Sequence, residues 1–225
     1  MPGRYVTEGG AAFGPCLLIS RECGTGSSEL AAKLGSELGW NVFDSRIVDE
    51  IAKAAHVHQR LVQSVDESVH SHWERTWREL LLEDLSDKQY VHHLGQVVTA
   101  LSHQGNVVIV GRGAQYLLPS QCALRVRLVA PIESRIKRVA ETENLSPEEA
   151  RLKIKHVDAK RAAFIWRVFR KDFNASLNQD MVVNTGQISI DGVARIVCAA
   201  LHEKLCVQIK RQPDFFCQTH QKVAA

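Results

Sequence analysis

The 225-residue chain is 45% hydrophobic and 24% charged, with a net charge of +3, enough apolar material to bury a core in one large domain. No apolar run approaches the roughly 18 residues that cross a bilayer, and the short apolar patch at 15–19 lacks the basic flank of a secretory signal. A cytoplasmic protein with no membrane partner is expected.

Residues 1–14 are rich in Gly and Ala and read as a flexible leader. Residues 16–20 read as a buried strand, followed by a helix over 28–38 in which Leu30, Ala31, Leu34 and Leu38 recur at helical spacing and Gly39 marks the stop. A second strand over 41–43 ends at Asp44-Ser45. From 45 to about 104 the pattern is helical and includes Trp73 and Trp77 at i, i+4; these and Trp166 read as packing residues. The strand over 106–110 runs into Gly111-Arg112-Gly113. Another follows over 124–130, with Pro131 opening a helix. Ser146-Pro147-Glu148-Glu149 has the form of a capping box, with serine at the cap, proline at the first helical position and glutamate at the third, and it starts a long basic helix. A fifth strand over 181–184 and a helix over 189–205 complete the alternation, and 207–225 form a polar tail. Strands alternating with helices predict an α/β fold, a parallel sheet of about five strands with helices on both faces.

The six cysteines show no C-x-x-C spacing and sit in apolar surroundings, which reads as buried thiols, not a disulfide framework or zinc site. The histidine pairs His56/His58, His70/His72 and His92/His93 are spaced by one or two and do not share a helix face. Charge is uneven: from Arg125 to Lys171 there are thirteen Lys or Arg against six Asp or Glu. Such a segment suits an anionic partner or a solvated helix face.

The sharpest feature is Arg21-Glu22-Cys23-Gly24-Thr25-Gly26-Ser27-Ser28, set between the first strand and the first helix. Glycines here let backbone N–H groups converge on an anion, and the helix start adds unpaired N–H groups and a partial positive charge. The pattern G-x-x-x-x-G-K-[ST] is met in part. Arg21 stands in place of the first glycine, Ser27 in place of the lysine, and Ser28 matches the hydroxyl that holds Mg²⁺. A glycine-rich turn with no ligand is the plainer alternative.

Taken in order, Ile19 to Gly26, Phe43-Asp44-Ser45, Val108 to Ala114, Ala130 to Val139, Asp158-Ala-Lys-Arg161 and Asp180 to Thr185 resemble the cytidylate-kinase-like family of P-loop nucleoside monophosphate kinases. The resemblance covers about 17–205, inside a domain taken as 15–206. It implies a helical acceptor region over 45–104, a basic lid over 131–172, and transfer of the γ-phosphoryl group of ATP, with Mg²⁺, to CMP, dCMP or a similar small acceptor. Carried over by position, Gly24, Thr25, Gly26, Ser27 and Ser28, with Arg21, would surround the donor phosphates, and Ser28 would meet the metal. Ser45 would contact the acceptor nucleotide and Arg112 its phosphate. Arg135 and Arg138 stand where lid arginines meet the donor, and Asp158 and Arg161 match a pair that meets the acceptor.

Local readings compete with these. Asp158 and Arg161 at i, i+3 make an ordinary helical ion pair, Arg112 could pair with a surface carboxylate, and Arg135 and Arg138 could be solvated. Asp44 could assist Mg²⁺ through water or cap a helix. Two positions depart from the family pattern: Ser27 for lysine, and Gly113 where true cytidylate kinases carry an aspartate that helps read cytosine. A nucleotide-binding sensor with weak or no turnover is therefore the alternative function. Nucleic-acid binding ranks last, since no recognised motif accompanies the basic stretch.

Overall fold

The run Cys16 to Ile19 is almost wholly buried and forms the centre of a parallel sheet in the computed structural model, which describes residues 5–6, 12–45, 48 and 85–205. The strands are β1 (Tyr5–Val6), β2 (Ala12–Phe13), β3 (Cys16–Arg21), β4 (Asn41–Phe43), β5 (Val107–Val110), β6 (Ala123–Val129) and β7 (Met181–Asn184). The helices are α1 (Ser27–Leu38), α2 (Leu85–Gln104), α3 (Ile132–Glu143), α4 (Pro147–Phe169) and α5 (Ile190–Leu205). Five strands lie in the order β4-β5-β3-β6-β7, all parallel. The expected parallel sheet covered by helices on both faces is what forms.

Alternation along the strands divides the core. Cys16 and Leu18 of β3 and Val107 and Ile109 of β5 face one layer, which includes Val91, Leu94 and Val98 of α2 and Ile165, Val168 and Phe169 of α4. Leu17, Ile19, Val108 and Val110 face the other, built with Leu30 and Leu34 of α1 and Val193, Val197 and Leu201 of α5. A smaller cluster of Ile136, Val139, Ala150 and Ile154 joins α3 to α4.

The start of α4 is satisfied within its own chain. Ser146 Oγ accepts from Glu149 N, and the Glu149 side chain accepts from Ser146 N, with Pro147 at the first position. By contrast α1 begins at Gly26, left-handed at φ 75° and with no side-chain cap, so the N–H groups of its first turn lack any intrahelical partner. That difference matters at the site.

The chain departs from the sequence reading in three places. Within the leader, Tyr5–Val6 pairs antiparallel with Ala12–Phe13, and Phe13 is buried and stacked on His103 with ring centroids 4.6 Å apart; one large aromatic side chain docks a segment whose small residues read as flexible. Asn106 lies outside its strand at φ 55°, although its N–H still donates to the carbonyl of Pro15. Trp166 is 59% exposed and is not a packing residue. Ser45, Val48 and 85–104 are helical; the remainder of the 45–104 reading, with Trp73 and Trp77, lies outside the described residues, as does the 207–225 tail. Among the described residues no helix is long and apolar enough to cross a membrane.

Candidate active site

Both candidate anion sites lie at the carboxyl ends of adjacent strands, where open α/β sheets bind ligands. The first is the turn from β3 into α1. Gly24 and Gly26 have φ of 82° and 75°, left-handed values that favour glycine. Close contacts enforce the choice: a Cβ on Gly24 would lie 2.8 Å from the carbonyl oxygen of Arg135, and one on Gly26 would lie 1.8 Å from Arg138 Nη1. The Thr25 hydroxyl is buried and donates to the Glu22 carbonyl at 2.9 Å, so it serves the turn itself. Ser27 is half-buried and Ser28 exposed at the helix start.

Arginines of α3 and α4 surround this loop. Arg138 Nη1 rests over Gly26, 3.6 Å from Glu29 Oε2. Arg135 donates to Asp158 Oδ2 at 2.6 Å and to the Cys23 carbonyl at 3.4 Å, with its Nε 3.6 Å from Glu22 Oε2. Glu22 in turn accepts from Ala130 N at 3.3 Å. Asp158 Oδ1 accepts from the backbone N–H of Cys23 at 2.7 Å. Burial, the largest cause, raises the Cys23 thiol, which makes it a poor nucleophile.

The second site is a cavity of about 240 Å³ between the ends of β3 and β5 and the inner face of α4. Arg21, Ser45, Arg112, Gln115, Lys160 and Arg161 line it beside Phe164 and Phe173. The turn at its floor has three consecutive left-handed residues, Gly111, Arg112 and Gly113, at φ 87°, 55° and 68°. Gly111 admits the Arg21 guanidinium, whose Nη1 would lie 1.8 Å from a Cβ there. Arg112 sits over the Phe164 ring, 5.5 Å from its centroid, a cation–π distance.

Arg21 therefore reaches away from the glycine loop. Its Nη2 donates to Ser45 Oγ at 3.5 Å. Burial first, then repulsion by Arg161 and Arg112, lowers its guanidinium to about 9. Arg161 donates to the Arg21 carbonyl at 3.2 Å and is lowered chiefly by burial. Among the described residues Ser20 Oγ and Arg21 Nε are buried without a hydrogen-bond partner. A cation-rich cavity with orphaned polar atoms is chemically suited to an anion.

The fold thus brings Arg21, Ser45, Arg112 and Arg161 to one cavity and Gly24 to Ser28 with Arg138 to the loop. Asp158 does not line the cavity; its oxygens are engaged by Cys23 and Arg135, and Oδ1 also lies 3.8 Å from Arg161 Nη1, the ordinary i, i+3 ion pair. At Gly113 a Cβ would come within 2.1 Å of the Phe169 ring, so an aromatic side chain occupies the space where an aspartate would begin. Sequence reasoning did not single out Lys160, Gln115, Phe164 or Phe173. Lys160 sits inside the Asp158-to-Arg161 run, whereas the aromatic residues carry no local signal, since Phe164 is turned inward by the packing of α4 and Phe173 by the turn that follows that helix. Arg127 was also missed, a buried charge two residues after Arg125 in the same strand. It stacks on Phe173, 4.3 Å from the ring centroid, and donates to Asn174 Oδ1 at 2.9 Å.

Comparison with known proteins bears on this geometry. A cytidylate kinase of Ignicoccus hospitalis is 29% identical over 185 residues, covering 80% of this chain and 95% of that protein. A cytidylate kinase of Pyrococcus horikoshii is 37% identical over 98 residues, 44% of this chain. That match spans 50% of the Pyrococcus protein's own length. A solved structure from Eubacterium ventriosum shares the fold, with a TM-score of 0.70 at 18% identity, covering 84% of this chain and 98% of that one. The sequence profile of the cytidylate kinase-like family matches residues 17–187, and the chain belongs to that family.

Proposed function

We propose that the protein transfers the γ-phosphoryl group of ATP to a small anionic acceptor, with CMP and dCMP as first candidates. The observation that carries this reading is the pairing of two anion-suited sites on adjacent strands, an uncapped helix start after β3 and an arginine-lined cavity beyond β5. Phosphoryl transfer needs positioning and charge neutralisation more than covalent chemistry from the protein, and this chain supplies both.

In this reading the backbone N–H groups over 24–28 hold the donor phosphates. Mg²⁺ keeps several waters and binds mainly through substrate phosphates with few protein ligands, and the exposed Ser28 hydroxyl at the helix start would be one of them. When bound, Mg²⁺ neutralises the charge on the β- and γ-phosphates. Arg112 and Arg161 hold the acceptor's anionic group, Ser45 and Arg21 border it, and Phe164 and Phe173 exclude water from that side. Arg138, whose guanidinium lies over Gly26, takes the place of the missing loop lysine. Arg21 does not, since it points into the acceptor cavity.

The test is a coupled ADP-release assay with Mg-ATP and a panel of CMP, dCMP and UMP. ADP release that depends on an acceptor supports the kinase. Binding of ATP and CMP by calorimetry without turnover selects the second reading, a nucleotide-binding protein with weak or no catalysis, which Ser27 favours. Absence of binding by either nucleotide overturns both.

A further inference from the structure

Asp158 lies three residues before Arg161 on α4 and forms a loose ion pair with it, Oδ1 to Nη1 at 3.8 Å, but the shorter contacts of the two side chains lead to different sites. Arg161 lines the cavity, while both Asp158 oxygens are directed at the glycine loop and its neighbour: Oδ1 accepts from Cys23 N at 2.7 Å and Oδ2 from Arg135 Nη1 at 2.6 Å. We infer that Asp158 is a positioning residue for the donor loop and not a ligand of the acceptor, an assignment that rests on the phosphotransferase reading above.

The loop leaves β3 through Glu22 and Cys23, and each is tied to α3, α4 or β6. Glu22 meets Arg135 and the N–H of Ala130; the Cys23 carbonyl meets Arg135 and its N–H meets Asp158. The N–H···carboxylate bond is charge-assisted and among the stronger kinds. It fixes the entry to Gly24, whose φ of 82° and contact with the Arg135 backbone set the direction of the N–H groups that follow. Without Asp158, the Cys23 N–H and the partly buried Arg135 each lose a partner, and the converging geometry over 24–28 loosens. Arg161 donates to the Arg21 carbonyl just upstream, so one turn of α4 touches the loop and the acceptor cavity together.

The experiment titrates Mg-ADP and CMP separately into wild type, Asp158→Ala and Asp158→Asn by calorimetry, and follows hydrogen exchange of the peptide over 21–28. Asp158→Ala is expected to weaken Mg-ADP about tenfold or more, the scale of one lost hydrogen bond to a charged group, while CMP changes less, by no more than about fivefold, the scale of the looser ion pair to Arg161. Asp158→Asn retains an oxygen for the Cys23 N–H but loses the ion pair, so it falls between the two, with exchange at 21–28 near that of wild type and slower than in Asp158→Ala. A loss confined to CMP would make Asp158 an acceptor ligand and overturn the assignment. Unchanged Mg-ADP affinity in both variants would overturn it as well. If Asp158→Ala does not fold, the Mg-ADP-to-CMP contrast in Asp158→Asn decides. If wild type binds neither nucleotide, the phosphotransferase reading fails by itself, and accelerated exchange at 21–28 in Asp158→Ala still reports whether Asp158 holds the loop.

Discussion

Replacing Arg21 by methionine should stabilise the ligand-free protein while weakening its acceptor site. The guanidinium is held at about 9 by burial and by the neighbouring Arg161 and Arg112, and its Nε is buried without a partner. Each tenfold loss of proton affinity is worth about 1.36 kcal/mol, so the fall from arginine's ordinary value represents about 4–5 kcal/mol of opposition to the charged form. Solvent reaching the cavity discounts this to about half, and loss of the 3.5 Å bond to Ser45 returns roughly 1 kcal/mol. A net gain of about 1–2 kcal/mol, or about 2–8 °C in Tm for a chain of this size, is expected. The sign follows from the depressed value: below about 9 the group is charged in both folded and unfolded chains, so the penalty is fully present at neutral pH and is relieved only above that value. The gain should therefore be flat between about pH 6 and pH 8. Differential scanning calorimetry without ligand gives the Tm, and isothermal titration with CMP should show affinity reduced about tenfold or more. A Tm lowered by several degrees would refute the reasoning, because the guanidinium would then be a net stabilising part of the empty cavity.

Arg112→Ala should weaken CMP binding far more than ATP binding; calorimetry on both ligands checks this, and equal effects would remove Arg112 from the acceptor site. Arg138→Ala should slow phosphoryl transfer by about 10²–10³, the usual loss for one preorganised donor, and Ser27→Lys in that background should restore part of the rate. Single-turnover kinetics decide the point, and no recovery would separate Arg138 from the lysine's role. Gly113→Asp should lower stability by about 2–3 kcal/mol, measured by urea unfolding, with no gain in preference for CMP over UMP, because the new Cβ meets Phe169. Hydrogen exchange across 146–171 should slow when ATP and CMP are added together if the basic α3–α4 region closes as a lid; unchanged exchange counts against closure.

Much of the frame is local and could be read from the chain. Val107–Val110 is an unbroken apolar run, the capping box at Ser146 is written in four adjacent residues, and glycines at 24, 26, 111 and 113 mark the two turns. What escaped was directional. Arg21 reads as part of the phosphate loop because it adjoins it, yet its guanidinium lies against Gly111, the residue after the Val110 that pairs with Ile19, a contact between neighbouring strands that sequence order does not reveal. Asp158 and Arg161 do make the i, i+3 ion pair that their spacing predicts, at 3.8 Å, but the position of α4 gives each a second set of neighbours that spacing does not show, the glycine loop for Asp158 and the cavity for Arg161. Phe13 and Trp166 fail in opposite senses, for burial of one aromatic residue depends on whether another element arrives to cover it.

Arg112 occupies a left-handed conformation, φ 55°, that a side chain with a Cβ adopts at a cost of about 1–2 kcal/mol. Asparagine or glycine would rest there more easily. Variants selected for heat tolerance alone should drift toward those residues at 112, whereas variants selected for turnover should keep arginine. Running both selections in parallel would turn a single backbone angle into a record of which pressure has shaped this turn.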